Sequence, residues 1–212
     1  FNLGIASAGN RKVLLMNSDC VFEPGLIREA CQRLDESAVV KARVSFESGR
    51  GSERLVAECR YLFHHVFQGG RKLFGPGLAF NKDICQAVGG YFFDEKMGWG
   101  EDGDLSKRIL ASSLEVAFLE KSVRHGREGV AHDLVIAYRI GKGNGLKDSR
   151  MISIGRSILV KTGHLLTDHH RQLRLSYQRG GCLLLIYLLV WKIAFHCGYY
   201  LGLRNGRKNV SL

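Results

Sequence analysis

Short apolar runs alternate with amphipathic segments along the first part of the chain. Residues 12–16 (KVLLM) and 38–46 are apolar runs bounded by polar or turn residues, which is typical of buried strands. Residues 25–34 carry apolar positions at helical spacing behind a proline, and residues 104–112 are a further predicted helix. Residues 116–119 are predicted to form an edge strand. Strands that alternate with helices predict an α/β layered fold.

The end of the chain has a different pattern. Residues 182–191 are ten apolar residues in a row, and residues 193–203 continue the apolar character beyond Lys192. A helix of about 20 residues is roughly 30 Å long, which matches the hydrocarbon core of a bilayer. Lys192 would be costly to insert at the middle of a bilayer, and basic residues flank both ends of the segment. The pattern therefore fits an in-plane or re-entrant helix at least as well as a spanning helix. We predict a membrane-associated helix at about residues 181–203.

Charge separates the two halves of the chain. The net charge of the 212 residues is +11, and 45% of the residues are apolar, which is ordinary for a globular protein. Residues 1–120 hold 15 basic and 16 acidic residues, whereas residues 121–212 hold 16 basic and 4 acidic ones. A basic half favours an anionic partner, either nucleic acid or a membrane surface. Because the basic residues accompany an apolar tail and no recognition motif, we expect an anionic membrane surface and no nucleic acid.

A polar segment, Asn17-Ser18-Asp19, follows the first apolar run. A carboxylate at the carboxyl end of a buried strand lies where open α/β sheets bind ligands, and Mg²⁺ and Mn²⁺ prefer oxygen ligands. The alternative is that Asp19 only closes a turn or caps the next helix. His125, beyond a strand that should end near Glu120, is a candidate partner of the same metal, and His132 competes with it.

Three carboxylates crowd the segment W-G-E-D-G-D-L, residues 99–105. Carboxylates this close repel one another, so the arrangement does little for stability alone. Asp104 has a structural alternative, because an acidic residue at a helix start caps free N–H groups. Glu101 and Asp102 are predicted to precede that cap and to face a cleft, where a carboxylate can accept the proton of an attacking hydroxyl.

These pieces together resemble family 2 glycosyltransferases. Residues 2–19 are similar to the family's "N-x-G-I…A…G", hydrophobic strand and "D-x-D" stretch. Residues 77–82 (GLAFNK) and 88–95 (VGGYFFDE) resemble its "A-F-R-R…V-G-G-F-D-E" segment, and residues 100–108 (GEDGDLSKR) resemble "G-E-D-x-D-L-x-x-R". Residues 137–143 (AYRIGKG) are similar to the "Y-R-Y-G-R-G" that precedes membrane-associated helices in many bacterial members.

The resemblance implies a GT-A-like, Rossmann-like mixed sheet flanked by helices. It also implies transfer of a sugar, with inversion, from a nucleotide-sugar donor to an acceptor hydroxyl. Asp19 and His125 would hold a divalent metal, Mn²⁺ or Mg²⁺, while Asp102 would be the general base with Glu101 beside it. Trp99 would stack on a sugar, although core packing explains it equally well. The implied substrate-binding residues are Asn17, Asp19, Gly77, Trp99 and Asp104.

Two departures from the family pattern shape the remaining expectations. Asn17 replaces the first acid of D-x-D, and the family's opening strand would lie before Phe1. We therefore expect that a strand–helix–strand unit of about 30 residues or more is missing, and that the chain is the C-terminal part of a longer catalytic domain. Residues 1–135 would be catalytic, and residues 136–212 would form a basic helical tail.

The expected acceptor is a glycolipid or a surface polysaccharide. The expected location is the cytoplasmic face of a membrane, with the chain either peripheral or anchored by a single helix. The alternative is a non-catalytic, membrane-bound scaffold, a glycosyltransferase-like remnant without its nucleotide-binding half. Turnover of a nucleotide sugar distinguishes the two.

Overall fold

The computed structural model describes residues 1–67, 73, 75–151 and 154–208, and the surroundings of side chains 150–170 and 207–208 are outside that description. Residues 209–212 of the expected tail therefore lie outside the described residues. The chain divides into two compact units. The sheet unit comprises Phe1–Glu47, Gly70–Asp94 and Glu101–Arg127, and the helical unit comprises Ser48–Gly69, Glu95–Gly100 and Glu128–Leu212.

Five strands and six α-helices make up the described secondary structure, together with two short irregular helices. A π-helical turn spans Leu62–Val66, and a 3₁₀ turn spans Lys82–Cys85. In chain order the other elements are α1 (Asn2–Ser7), β1 (Lys12–Leu14), β2 (Cys20–Phe22), α2 (Leu26–Glu36), β3 (Val39–Phe46), α3 (Ser52–Tyr61), β4 (Leu78–Asn81), α4 (Glu101–Ala111), β5 (Val116–His125), α5 (Val130–Met151) and α6 (Ile154–Lys208).

The sheet unit is built on a mixed five-stranded sheet of order β1-β4-β3-β5-β2. Strands β3 and β5 are parallel, and the other three pairings are antiparallel. Successive residues of a strand point to opposite faces. Val40 and Ala42 accordingly belong to a core cluster with α2, while Val39 packs in a second cluster with α4. The prediction of a mixed α/β sheet flanked by helices is confirmed.

The order of the strands corrects two expectations. Strand β5 is not an edge strand, because it lies between β3 and β2 and runs on to His125. Its side chains Leu119 and Val123 are buried accordingly. The edge position belongs to β2, which the sequence pattern did not indicate. Three residues are too few to show the alternation that identifies a strand.

Helices α3, α5 and α6 form the helical unit. Helix α6 consists of two helices joined at Gly181, whose φ of 66° lies in the left-handed region. The part after Gly181 confirms the predicted apolar helix at about 181–203. It packs against α5 with backbone contact, because a Cβ on Gly141 would lie 2.0 Å from the carbonyl oxygen of Phe195. A Cβ on Gly198 would meet the Tyr138 carbonyl oxygen at the same distance, so only glycine allows this approach.

Candidate active site

Pairing of β2 with β5 brings Asp19 to His125. Cys20 lies opposite His125 in the register, and the Gly126 amide donates to the Asp19 carbonyl at 2.9 Å. His125 Nε2 consequently lies 3.3 Å from Asp19 Oδ2, with 9% of the His125 side chain and 49% of the Asp19 side chain exposed. His125 is the last residue of β5 rather than a residue beyond the strand, which corrects the sequence prediction.

The two ring nitrogens of His125 face different groups. Its Nδ1 lies 3.1 Å from the Gly126 carbonyl oxygen, to which an Nδ1–H can donate, and its Nε2 faces the Asp19 carboxylate. Ligand atoms of Asp19, Cys20 and His125 lie within 4.8 Å of one another. Burial, and next the Asp19 charge, raise the pKa of the Cys20 thiol to about 11. A carboxylate oxygen and an imidazole nitrogen fit Mn²⁺ or Mg²⁺, so the residues present are compatible with the implied metal.

His132, the competing histidine, lies in the helical unit on α5. Its Nδ1 is 3.3 Å from Glu128 Oε2, one helical turn away, and 65% of its side chain is exposed. This local pairing accounts for His132 as a surface residue. The geometry favours His125 as the metal ligand.

The acidic segment forms the first turn of α4. The helix begins at Glu101, after Gly100 with a φ of 81°, and not at Asp104. Glu101 and Asp102 therefore do not precede the helix, which corrects the sequence prediction. Negative charge at a helix N-terminus complements the helix dipole, which explains how three carboxylates are tolerated there. Burial raises the pKa of Glu101, and the neighbouring charge of Asp102 acts in the same direction.

Asp102 is half-buried beside the Gly75-Pro76-Gly77 turn. Its Oδ1 accepts a hydrogen bond from the Gly103 amide at 2.7 Å. A Cβ on Gly75 would lie 3.5 Å from Asp102 Oδ2, so the turn passes directly over the carboxylate. Asp102 thus combines partial exposure with a fixed orientation, which a general base requires.

Gly77 shapes this turn by close approach to the sheet. Its φ is 78°, and a Cβ would lie 2.8 Å from side-chain atoms of both Ala42 and Val123. Its amide donates to the Leu15 carbonyl at 2.9 Å, and its carbonyl accepts from the Ala42 amide at 2.8 Å. Its role in the geometry is to seat the turn, and its role in binding substrate stays a prediction.

Asp104 has a structural environment. Its side chain is 2% exposed, and Arg108 Nε donates to its Oδ2 at 2.9 Å. The Arg108 guanidinium also donates to backbone carbonyls in the loop before α4, those of Val88, Tyr91 and Phe92. Asp104 therefore fixes the arginine that holds this loop. The geometry favours this reading over direct substrate contact.

Asn17 and Trp99 lie in different units. Asn17 is half-buried in the sheet unit, in the loop between β1 and β2, and its carbonyl accepts from the Cys20 amide at 3.3 Å. Trp99 belongs to the helical unit and is 40% exposed. The Arg139 guanidinium carbon lies 5.2 Å from the Trp99 ring centroid. A Cβ on Gly143 would lie 1.8 Å from the Trp99 carbonyl oxygen, so α5 supports the Trp99 backbone closely.

Sequence reasoning missed Lys41 in the middle of β3. It is 4% exposed, and its Nζ donates to the Pro76 carbonyl at 2.6 Å. Burial lowers the pKa of Lys41 to about 7, and the Asp102 charge acts in the opposite direction. A lysine inside the apolar run VVKARV was the available signal, because a charged residue is rarely buried without a reason.

Comparison with known proteins bears on this site. A family model described as the N-terminal domain of galactosyltransferase matches residues 59–132, a segment that contains Gly77, Trp99, Glu101, Asp102 and His125. Over these residues the chain is similar to a glycosyltransferase domain. No curated protein matches the chain.

Two crystal structures of S. aureus TarS 1-349 are similar to this chain. The one in complex with UDP-GlcNAc has a TM-score of 0.45 and 15% identity, over 98% of this chain and 71% of TarS 1-349. The one described without a ligand has a TM-score of 0.42 and 16% identity, over 98% and 70% of the two chains.

Proposed function

We propose that the chain is an inverting, metal-dependent glycosyltransferase that moves a sugar from a nucleotide-sugar donor to an acceptor hydroxyl. The observation that carries the proposal is the Asp19–His125 pair in the sheet unit, in which His125 Nε2 lies 3.3 Å from Asp19 Oδ2. The same unit contains the half-buried Asp102 carboxylate. Sugar transfer of this kind requires ligands for the metal that binds the donor diphosphate and a base for the acceptor hydroxyl.

Asp19 and His125 would hold Mn²⁺ or Mg²⁺, with the Asn17 side chain available to the same ligand or to the donor ribose. When bound, the metal neutralises the negative charge that develops on the leaving diphosphate. Asp102 accepts the proton of the acceptor hydroxyl as that oxygen attacks the anomeric carbon. The bond from that carbon to the diphosphate breaks on the opposite side, which inverts the configuration.

Glu101 and Trp99 are the side chains that contact sugar in this proposal. Glu101 has a raised pKa because of its burial, and its carboxyl can exchange hydrogen bonds with sugar hydroxyls next to Asp102. Trp99, in the helical unit, presents an exposed ring face of the kind that stacks on a pyranose, and the Arg139 guanidinium lies over that ring. Gly77 and Asp104 are the other substrate-binding residues of the proposal.

The acceptor in our proposal is a glycolipid or a surface polysaccharide at the cytoplasmic face of a membrane. The segment Arg171–Gly206 is long and apolar enough to cross a membrane, with a mean hydropathy of 1.8 in its most apolar window. The ammonium of Lys192 is directed to another part of α6, because its Nζ donates to the Gln172 side chain at 2.5 Å. The outward stripe of this helix, which we call the apolar stripe, comprises Leu183, Ile186, Val190, Ile193 and Tyr200.

Charge agrees with a membrane location for this tail. Exposed arginines lie before and after the apolar stripe, as expected for binding to anionic headgroups. In this division of labour residues 1–135 carry the chemistry, and residues 136–212 hold the chain at the surface, either peripherally or as a single anchor. The flanking exposed arginines are Arg171, Arg174, Arg179 and Arg204.

Turnover with a matched carboxylate control tests the proposal. The full chain, in vesicles of phosphatidylserine and phosphatidylcholine, is incubated with Mn²⁺, a panel of UDP-sugars and lipid-linked acceptors. Asp102→Asn is expected to lower kcat by about 10²–10⁴-fold, which is the usual contribution of a general base. Asp83→Asn should have no effect, because Asp83 is an exposed surface residue paired with Arg11.

Three outcomes decide the proposal. Inverted product anomers, with activity lost in Asp102→Asn and retained in Asp83→Asn, support it. Full activity of Asp102→Asn overturns the assignment of the base. Absence of both turnover and Mn²⁺-dependent UDP binding by calorimetry overturns the enzymatic function and favours the scaffold.

A further inference from the structure

Lys41 is the most costly side chain to bury in the sheet unit's central strand. Its neighbours in β3, Val40 and Ala42, are 0% and 1% exposed, and Lys41 itself is 4% exposed. An ammonium group removed from water loses much of its solvation free energy, which an apolar side chain at this position would not lose. A residue that opposes folding this strongly calls for a functional explanation.

The Lys41 side chain points to the face of the sheet that carries α4. Val40 and Ala42 pack with α2 on the opposite face, so alternation places Lys41 on the α4 side with Val39. There its Nζ donates to the Pro76 carbonyl at 2.6 Å. The adjoining Gly75 lies against the carboxylate of Asp102. Lys41 and Asp102 thus contact neighbouring residues of one turn.

The two side chains also interact through their charges. Burial lowers the pKa of Lys41 to about 7, and the two opposing influences are the charge of Asp102, which is the larger, and that of Cys20. Electrostatic coupling is reciprocal, so the ammonium of Lys41 favours the ionised form of Asp102 by the same free energy. A carboxylate must be ionised to accept a proton as a general base.

We propose that Lys41 is a positioning residue for sugar transfer, whose buried charge seats the Gly75-Pro76-Gly77 turn and keeps the Asp102 carboxylate ionised and oriented. The inference rests on the proposed function of Asp102. Lys41 itself touches no reacting atom in this scheme, since its Nζ is directed to the Pro76 carbonyl.

The variant Lys41→Met removes the charge and retains an unbranched apolar side chain. Without the ammonium, the Asp102 carboxylate takes up a proton at higher pH. We expect the acid limb of the kcat profile to move up by about one pH unit, which lowers kcat about tenfold on that limb and leaves the plateau at higher pH unchanged, while KM for the nucleotide sugar stays within about twofold. Lys12→Met is the control, because Lys12 lies on the edge strand β1 and pairs with the exposed Asp35.

The acid limb of the kcat profile reports the coupling of Lys41 and Asp102. The charges of Asp102 on α4 and of Cys20 on β2 act on Lys41, and Glu101 adjoins Asp102 on its own helix. A shift of that limb to higher pH, with an unchanged or higher melting temperature, supports the proposal. Equal loss of kcat at every pH with a lower melting temperature indicates a merely structural lysine and overturns it.

A second readout does not depend on turnover. Carbon-13 NMR of aspartate-labelled protein follows the titration of the Asp102 carboxyl, which is assigned by its absence in Asp102→Asn. We expect the Asp102 pKa to rise by about one unit in Lys41→Met and to stay constant in Lys12→Met. If the wild-type chain transfers no sugar, the proposed function fails, yet this titration still decides the coupling. An unchanged Asp102 titration in Lys41→Met overturns the inference.

Discussion

The sheet unit and the helical unit each bury a cation, and they treat it in opposite ways. Lys41 in the sheet unit donates to a neutral carbonyl, and burial lowers its pKa to about 7. Arg60 in the helical unit has a 15% exposed side chain and contacts Asp133 at 2.8 Å and Glu128 at 2.5 Å. Burial alone would lower the pKa of Arg60, but these two carboxylates outweigh it and the pKa is raised.

The difference teaches how to separate a structural charge from a functional one. Arg60 is bound by two carboxylates that are themselves nearly buried, so its charge is compensated where it lies and the group braces α3 against α5. The charge of Lys41 interacts electrostatically with Asp102 at the candidate active site. A buried charge that acts on a candidate active-site group can serve chemistry, whereas one bound by two nearly buried carboxylates contributes to the fold.

Breaking the Arg60 brace should have the largest effect on stability. Asp133 accepts two hydrogen bonds from Arg60 and another from the Tyr187 hydroxyl, and its side chain is 3% exposed. Asp133→Ala leaves the arginine charge buried with only Glu128, so we expect a loss of about 3–5 kcal/mol in the free energy of unfolding. Urea denaturation followed by circular dichroism measures it.

The double variant Arg60→Met/Asp133→Leu is the control for that experiment. It removes both charges together, so it should lose less stability than Asp133→Ala alone. A single-variant loss below about 1 kcal/mol, or strict additivity of the two substitutions, would show that the brace does not exist.

Glycines also serve the two units differently, and this gives the next effect in size. In the helical unit Gly198 allows α6 to touch the Tyr138 carbonyl of α5. Gly198→Ala must separate the two helices, so we expect a loss of about 1–3 kcal/mol. Gly4→Ala in α1 is the matched control, because nothing lies within 4 Å of its added Cβ. Thermal unfolding of the two variants should move in opposite directions, and equal shifts would contradict the packing argument.

Sequence reasoning succeeded where a pattern is local. The runs at 12–16 and 38–46 are each apolar and bounded by polar or turn residues, and they reappear as β1 and β3. The apolar tail is evident for the same reason, since a long helix repeats its signal many times. The family resemblance located Asp102 within a segment that the family model also matches.

Tertiary contacts explain what sequence reasoning missed. Helix α5 contains Gly141, Gly143 and Gly145, each unfavourable in an isolated helix, and backbone contacts with α6 and with Trp99 outweigh that preference. The start of α4 was placed three residues late, because capping rules do not distinguish successive acidic residues. The roles of Lys41 and Arg60 depend on partners far away in the chain, which a single sequence does not reveal.

The apolar stripe offers a smaller effect that again contrasts the two units. Ile193 on the stripe is 62% exposed, and Ile27 on α2 of the sheet unit is 56% exposed, so they are matched in chemistry and exposure. Ile193→Ser should weaken binding to anionic vesicles by roughly 1–2 kcal/mol, about tenfold in partition, while Ile27→Ser should not. Flotation of the full chain with vesicles measures both. Equal losses of vesicle binding in the two variants would show that the apolar stripe does not contact the membrane.

The smallest expected effect tests the contrast of Lys41 and Arg60 directly through pH. Above about pH 7 the folded chain releases the Lys41 proton, whereas the unfolded chain keeps it up to 10.5. The unfolded state therefore binds more protons in this window, and the stability contributed at Lys41 rises with pH. Relative to Lys41→Met, the wild type should gain about 1 kcal/mol between pH 7 and pH 8.

Lys41→Met should thus be most stabilising at pH 6, where the wild type must bury a full charge. Arg60 contributes no such slope over the same range, since its raised pKa keeps that charge in both states. Denaturation midpoints at pH 6, 7, 8 and 9 provide the curves. Parallel curves for the wild type and Lys41→Met would mean that Lys41 keeps its ordinary pKa, and the distinction between the two buried cations would then disappear.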